Sequence, residues 1–369
     1  MSTNRRILVV SGIYPPDIGG PATYVPQLCS QLHDQNYDVR LVSLTDEAEA
    51  KRNEEPWKRT FITRKLWKPL RILRTLHLLF NEGKKADAIF ANGLYEEVGI
   101  ISLVLRKKRI IAKVVGDPVW ERFINAQNKE LMIEDFIAAQ QNKKTHFQRK
   151  LLTWSLNRFT EITCPSEQLK ELITSWRVKR PVSVIHNGVM CKPVTQKMPL
   201  YDIVTVSRLV KWKNLDKLIA ATEGKGYVMA ICGDGPEMQS LKELSEKKKS
   251  KIHFLGQVTA DQISKIISES KVFALLSTYE GLSFALLEAM MAGKGILVSN
   301  ARGNKDVIKN RISGLVVDPS NIQEISRALE LLLNDEQKSH QLSTKAHEIA
   351  VTNYCAEKQL AKMITLIGS

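Results

Sequence analysis

Two kinds of apolar spacing alternate along this chain. Short, nearly continuous runs rich in Val and Ile read as strands buried on both faces. Longer stretches, in which apolar residues return every third or fourth position, read as amphipathic helices. In the first half the strand pattern falls at 7–10, 39–44, 88–90, 110–115, 161–164 and 182–185. In the second half it falls at 203–206, 227–231, 252–255, 272–276, 295–298 and 314–317. Helical spacing lies between, notably over 22–35, 167–175, 215–221, 238–246, 260–269 and 284–292. A strand–helix alternation run through twice predicts an α/β protein of two doubly wound parallel sheets facing across a cleft. The weakly patterned stretch from Cys191 to Leu200, with Pro and Lys, is the expected linker. That places an N-terminal domain at 1–190, a C-terminal domain at 201–355 and a closing helix at 356–369.

The length of 369 residues suits two domains, and 43% hydrophobic with 25% charged residues excludes a disordered or fibrous chain. No apolar run approaches the ~20 residues that a spanning helix needs. Ile7–Val10, after Arg5 and Arg6, is too short for a signal-peptide core and soon meets Pro15-Pro16, so a cytoplasmic location is expected. Five scattered cysteines, with neither CxxC nor a Cys/His cluster, argue against a disulfide framework or structural zinc.

Charge changes the picture more. The net charge is +15, with 30 basic against 20 acidic residues up to Met190 and 24 against 19 after it. Trp57 to Arg74 alone holds seven basic residues and no acid, with further clusters at Arg106–Arg109 and Lys143–Lys150. Such an excess fits nucleic acid, an anionic membrane, phosphorylated substrates or only a solvated surface. Basic residues dispersed over a two-sheet pattern, without a basic–aromatic recognition motif, count against nucleic acid. Between Trp57 and Phe80, helical spacing would put Leu66, Leu70, Leu73 and Phe80 near one face and Arg64, Lys68, Arg71 and Arg74 largely elsewhere. That is the pattern of a helix on an anionic membrane, or equally of a core-facing stripe with a solvated basic side.

Candidate chemistry gathers beyond predicted strand ends, where open α/β sheets bind ligands. After the first strand, Gly19-Gly20 precede Pro21 at a helix start, where bare backbone N–H groups and the helix dipole can receive an anion; a plain tight turn is the alternative. The spacing is neither GxGxxG nor GxxxxGK[ST]. After the strand at 203–206, Arg208 and Lys213 lie in the turn where a phosphate would sit, a planar fork and a compact charge respectively. The third group is Glu280-Gly281-Leu282-Ser283-Phe284, a predicted helix opening, with Glu288 two turns further on and on about the same side. Two carboxylates there can accept bonds from sugar hydroxyls, or Glu288 can simply face solvent.

Taken in order, these segments resemble the retaining glycosyltransferases of GT-B architecture, most closely family 4. The resemblance runs from Tyr14-Pro15-Pro16 and Gly19-Gly20 through Val184–Val189, Ser207–Asn214, Gly233-Asp234-Gly235-Pro236, Gly256 and the Glu-x7-Glu segment to Gly303 and Gly314-Leu315-Val316. It implies two Rossmann-like domains and a nucleotide-sugar donor, a UDP- or GDP-sugar, bound mainly by the second. By that resemblance Arg208 and Lys213 grip the donor diphosphate, Glu280 contacts the donor sugar, and Glu288 binds the ribose. Gly19 and Gly20 close over the pyrophosphate, and amides from Gly281, Leu282, Ser283 and Phe284 touch sugar and phosphate. The loop with Gly233 and Asp234 borders the base. The acceptor would be a glycan or a polyisoprenyl- or otherwise lipid-linked sugar, in cell-surface polysaccharide or glycolipid synthesis. An enzyme of that kind would be peripheral on the cytoplasmic membrane face.

No resident cofactor is implied, and with no Asp-x-Asp motif beside the positive groups a metal is not expected to be required. Where many relatives carry His beyond the strand at 111–115, this chain has Gly116-Asp117-Pro118. Asp117 is the nearest group able to bond a sugar hydroxyl or an acceptor, and is equally placed to be a helix-capping acid. A sugar-nucleotide epimerase or a phosphorylase shares the architecture and stands as the alternative, with a basic nucleic-acid binder behind it.

Overall fold

A computed structural model describes residues 5–17, 19–46, 55–127, 133, 136, 142–191 and 198–369. Most of the expected linker, 192–197, lies outside the described residues. The chain forms two compact units: the first continues to Asn187 and takes back Lys358–Ser369, and the second includes Gly188–Glu357.

The first unit is built on seven strands: β1 (Arg6–Ser11), β2 (Asp38–Thr45), β3 (Lys58–Thr63), β4 (Ala88–Asn92), β5 (Arg109–Lys113), β6 (Glu161–Cys164) and β7 (Val182–Val184). They pair in the order β3-β2-β1-β4-β5-β6-β7, and all pairs are parallel. Its helices are α1 (Gly20–Asp34), α2 (Lys68–Lys85), α3 (Tyr95–Ile101), α4 (Pro118–Gln127), α5 (Lys143–Leu156) and α6 (Glu167–Ser175). The chain walks outward from β1 to β3, then recrosses to β4 and walks the other way. Right-handed crossovers therefore set α1 on one face and α2, α3, α5 and α6 on the other. The order β1, β2, β3 on one side and β4 on the other makes the end of β1 a topological switch point, where ligands of such sheets bind.

β3 corrects the sequence reading. Lys58–Thr63 is an edge strand paired only with β2, so the helix begins ten residues later, at Lys68. Lys-Arg-Thr-Phe-Ile-Thr buries only Ile62, and a charged edge strand of this kind has no need of the apolar run that marks a central one. Trp57, at the start of the basic stretch, is buried, whereas Trp67 is exposed. Arg64 is no surface cation either: its guanidinium pairs with Asp17 at 2.6 Å and donates to the carbonyls of Gly12 and Leu44.

β5 ends on a fully buried lysine. The Lys113 ammonium donates to the Ile185 carbonyl at 2.9 Å and lies 4.3 Å from the centroid of the Tyr24 ring. Burial pulls its pKa down to about 7. The unfolded chain, with an ordinary lysine, binds the proton more tightly, so this residue makes stability rise with pH from about 7 towards the ordinary lysine range. We expect Lys113→Met to gain stability over wild type near pH 7, and that gain to shrink by about 2 kcal/mol by pH 8.5. Urea unfolding of both proteins at the two pH values measures it, and a pH-independent difference would refute it. The window stops below the range of the buried thiols.

The second unit carries β8 (Tyr201–Val206), β9 (Val228–Cys232), β10 (Lys251–Gly256), β11 (Ser270–Leu275), β12 (Gly295–Ser299) and β13 (Leu315–Val317), again all parallel, in the order β10-β9-β8-β11-β12-β13. Helices α7 (Leu215–Ala221), α8 (Met238–Lys247), α9 (Ala260–Ser268), α10 (Phe284–Met291), α11 (Arg302–Val307), α12 (Ile322–Asn334), α13 (Glu336–Asn353) and α14 (Ala356–Gly368) complete the chain. Two apolar clusters, one on each face of the sheet, form its core. One holds Phe273, Ile296 and α10, the other Ile203, Leu218 and Leu329.

The motif glycine Gly188 has a structural reason. Val189 pairs with Cys355 in an isolated parallel bridge, and a Cβ at Gly188 would stand 2.5 Å from the Ala356 Cα. The Asn-Gly-Val segment thus needs glycine to let two backbones meet. Within the first unit, Arg109 donates to the Leu366 carbonyl at 3.1 Å and Arg5 to that of Gly368, which fastens the end of α14 to its sheet.

Candidate active site

The candidate residues of the second unit assemble beyond the carboxyl ends of β8, β9 and β11. The turn after β8 is held by the one after β9: Ser207 N–H donates to the Cys232 carbonyl at 3.1 Å, and Leu209 N–H to that of Asp234 at 2.9 Å. The approach is so close that a Cβ at Gly233, whose φ is +132°, would lie 1.9 Å from the Ser207 carbonyl oxygen. At Gly235 it would lie 2.3 Å from that of Leu209. The Gly-Asp-Gly sequence is therefore a backbone cradle that fixes the turn carrying Arg208. Arg208 itself is exposed, with no acid paired to it among the described residues. Asp234 is exposed too, its carboxylate bonded back to the Gly235 amide at 2.7 Å.

A single helical turn over Lys211–Lys213 then delivers Lys213 to Glu280, with which it forms a mostly buried ion pair. Asn214, in the left-handed region at φ 51°, anchors that turn by donating to the Leu276 carbonyl at 2.7 Å. Trp212 accepts from the Thr278 amide at 2.9 Å. Glu280 is held from a second side by the Ser277 hydroxyl at 2.6 Å. Both bonds fall on Oε1, which leaves Oε2 for a ligand. Behind it, Ser299 donates to the Ser277 carbonyl at 2.5 Å, and the buried Asn304 amide donates to Ser299 at 2.9 Å. A Cβ at Gly303 would approach the Glu280 carbonyl oxygen to 2.1 Å. The motif glycine near 303 thus serves the same carboxylate. Ser277, Ser299 and Asn304 went unread in the sequence; the one signal was a hydroxyl at the exit of β11, three residues before the acid.

α10 opens at Phe284, capped by the Ser283 hydroxyl, which accepts from Leu286 N–H at 3.3 Å. Its leading amides have no partner within the helix, and the helix opens four residues after Glu280. The Leu282 side chain belongs to the core, so only its backbone can serve a ligand, while Gly281 and Phe284 are half-buried. Glu288 is half-buried one turn further along, between the buried Leu287 and Ala289. The set amounts to one exposed cation, one cation–carboxylate pair with a free oxygen, and a helix N-terminus: groups suited to an anionic leaving group beside a hydroxylated ring.

In the first unit, Gly19 caps α1 at φ 151°, with Pro21 in the first turn and the Thr23 amide bonded to the Gly19 carbonyl at 3.1 Å. A Cβ at Gly19 would stand 2.7 Å from Ile13, so the exit from β1 keeps its bare backbone for geometric reasons as well. Asp117 is placed otherwise than nominated. It is 0% exposed, its Oδ1 accepts from the Val119 and Trp120 amides at 2.9 and 3.1 Å, and its Oδ2 pairs with Arg149. Arg149 in turn lies over the Trp176 ring, 4.4 Å from its centroid. Asp117 is a helix cap and buried ion-pair partner, with neither oxygen left to present to a sugar.

Known proteins carry the same pattern. Residues 18–192 match the model of Glycosyltransferase Family 4, and residues 192–349 that of Glycosyl transferases group 1. The chain belongs to the family 4 glycosyltransferases. An uncharacterized glycosyltransferase of Methanocaldococcus jannaschii is 31% identical over 36% of this chain and 36% of its own length. The alpha-monoglucosyldiacylglycerol synthase of Streptococcus pneumoniae is 20% identical over 95% of this chain and 83% of that one. Among solved structures, Anabaena HepE in complex with UDP and glucose superposes with a TM-score of 0.79 at 16% identity, over 99% of this chain and 100% of that one. The fold is GT-B, with two doubly wound parallel sheets.

Proposed function

We propose that this enzyme transfers a sugar, with retention at the anomeric carbon, from a UDP- or GDP-sugar to a glycan or lipid-linked acceptor. The observation that carries the reading is the Arg208, Lys213 and Glu280 constellation beyond β8 and β11, ordered by backbone cradles and not by flexible surface contacts. In this reading the bond from the anomeric carbon to the diphosphate oxygen breaks as the acceptor oxygen approaches from the same face. Negative charge grows on the leaving diphosphate, where Arg208, Lys213 and the α10 N-terminus stabilise it. The acceptor proton passes to the departing phosphate. Glu280, oriented by Lys213 and Ser277, turns its other oxygen to a hydroxyl of the donor sugar. Glu288 takes the ribose. No metal is required in this scheme. UDP bound to HepE and a diacylglycerol-based product in the synthase's name support the donor and acceptor classes. A lipid-linked acceptor would hold the enzyme at the cytoplasmic face of a membrane, in surface polysaccharide or glycolipid synthesis.

The test is a set of labelled nucleotide sugars incubated in EDTA. We expect one of them to release its nucleoside diphosphate, and that diphosphate at saturating concentration to stabilise the fold, by about 2.7 kcal/mol at a hundred times its Kd. Conversion to an epimer without sugar transfer would sink the proposal, and complete loss of turnover in EDTA would sink the metal-independent scheme.

A further inference from the structure

We infer, on the strength of the transfer reaction proposed above, that Arg64 is a positioning residue for it: its guanidinium sets the glycine turn after β1 by clamping Asp17. β3 lies two strand spacings, about 10 Å, from β1, with β2 between them. The ladders tying these strands end at Ser11 and Ser43 on one side of β2, and at Thr45 and Thr63 on the other. Arg64 is the next residue of the chain, and its side chain reaches across the gap. Nη1 donates to Asp17 Oδ1 at 3.1 Å, and Nη2 to Asp17 Oδ2 at 2.6 Å. Nη2 also donates to the carbonyls of Gly12 and Leu44, at 3.0 and 3.2 Å. One planar group thus joins the exits of β1, β2 and β3 beyond the last rungs of the sheet. Its own backbone is fixed too: the Arg64 amide donates to Asp46 at 2.8 Å, and the Arg64 carbonyl accepts from Arg71 of α2 at 2.9 Å.

Asp17 stands two residues before Gly19, the cap of α1, at the switch point where a sheet of this order binds ligands. Gripping both Asp17 and Gly12 fixes the turn from its two ends. Such precision matters to a reaction, because a misplacement of about 1 Å can cost on the order of a hundredfold in rate. Charge adds a second reason. A bare carboxylate at Asp17 would oppose any anion offered to the leading amides of α1, and the two-pronged pairing with Arg64 neutralises it. Lysine would match that charge but not the geometry, since an ammonium has three donors and no planar fork for these four bonds.

Steady-state kinetics, normalised to folded protein, tests the clamp. Arg64→Ala should lower kcat/KM for nucleotide-sugar consumption by about ten- to a hundredfold, and Arg64→Lys should not restore it. Millimolar guanidinium chloride should return part of the Arg64→Ala activity, and urea at the same concentration none. Asp17→Ala should be impaired alike, and the double variant no more than Arg64→Ala alone, because the two side chains act as one unit. Should Arg64→Ala not fold, Asp17→Asn, which keeps the shape and loses the charge, carries the same test. Near-normal turnover by Arg64→Ala overturns the inference. So does normal turnover by Asp17→Ala beside a failing Arg64→Ala, which would put Arg64 itself on the substrate. Amide hydrogen exchange over residues 12–24 separates the clamp from the proposed function: Arg64→Ala should exchange faster there, with the second unit unchanged. If wild type consumes no nucleotide sugar, the proposed function falls and exchange alone decides whether Arg64 holds the turn. Unchanged exchange beside full wild-type turnover leaves the function standing and sinks the clamp.

Discussion

Arg208→Ala should lower kcat/KM for nucleotide-sugar consumption by about 10²–10³-fold, the usual cost of removing one preorganised donor from a developing negative charge. Its melting temperature should stay within ~2 °C of wild type, because an exposed side chain outside any ion pair holds little of the fold together. Lys213→Met should lose a comparable factor but also stability, by about 1–3 kcal/mol, since Glu280 is then left mostly buried with only the Ser277 hydroxyl. The two cations therefore separate by calorimetry although they fail alike in turnover. Arg208→Ala with near-normal kcat/KM would remove the diphosphate role from this turn.

The second large effect is on the fold. Asp117→Ala should destabilise the protein by about 3–5 kcal/mol, because it strips a mostly buried Arg149 of its partner and α4 of its cap. Asp117→Asn keeps the capping oxygen and should fall between the two. What remains folded should use donor and acceptor with unchanged kcat/KM. Urea unfolding together with steady-state kinetics decides the matter: full stability with lost turnover would return Asp117 to the site.

What the chain spells out plainly is whatever one strand or one helix determines alone. Central strands such as Ile7–Val10 and Val272–Leu276 must be apolar on both faces, and their runs stand out. Lys58–Thr63 does not, because an edge strand satisfies its pairing on one side and can spend the other on charge. The candidate residues Arg208, Lys213 and Glu280 were readable as types beyond strand ends, but their relation was not. That Lys213 pairs with Glu280, and that Gly233, Gly235 and Gly303 are spacers cut to fit neighbouring carbonyls, depends on loops far apart in sequence. Asp117 shows the opposite failure. Its position after β5 suggested a ligand contact, while its partner Arg149 lay 32 residues away on another helix, invisible to local pattern.

The return of Lys358–Ser369 to the first unit has a consequence for synthesis. A ribosome must have finished the whole second unit before Leu366 and Gly368 can receive the hydrogen bonds of Arg109 and Arg5. The first unit is thus completed last, and it waits, without its closing helix, through the translation of roughly half the protein. Cleavage near residue 357 would undo that fastening while leaving most of the second unit intact.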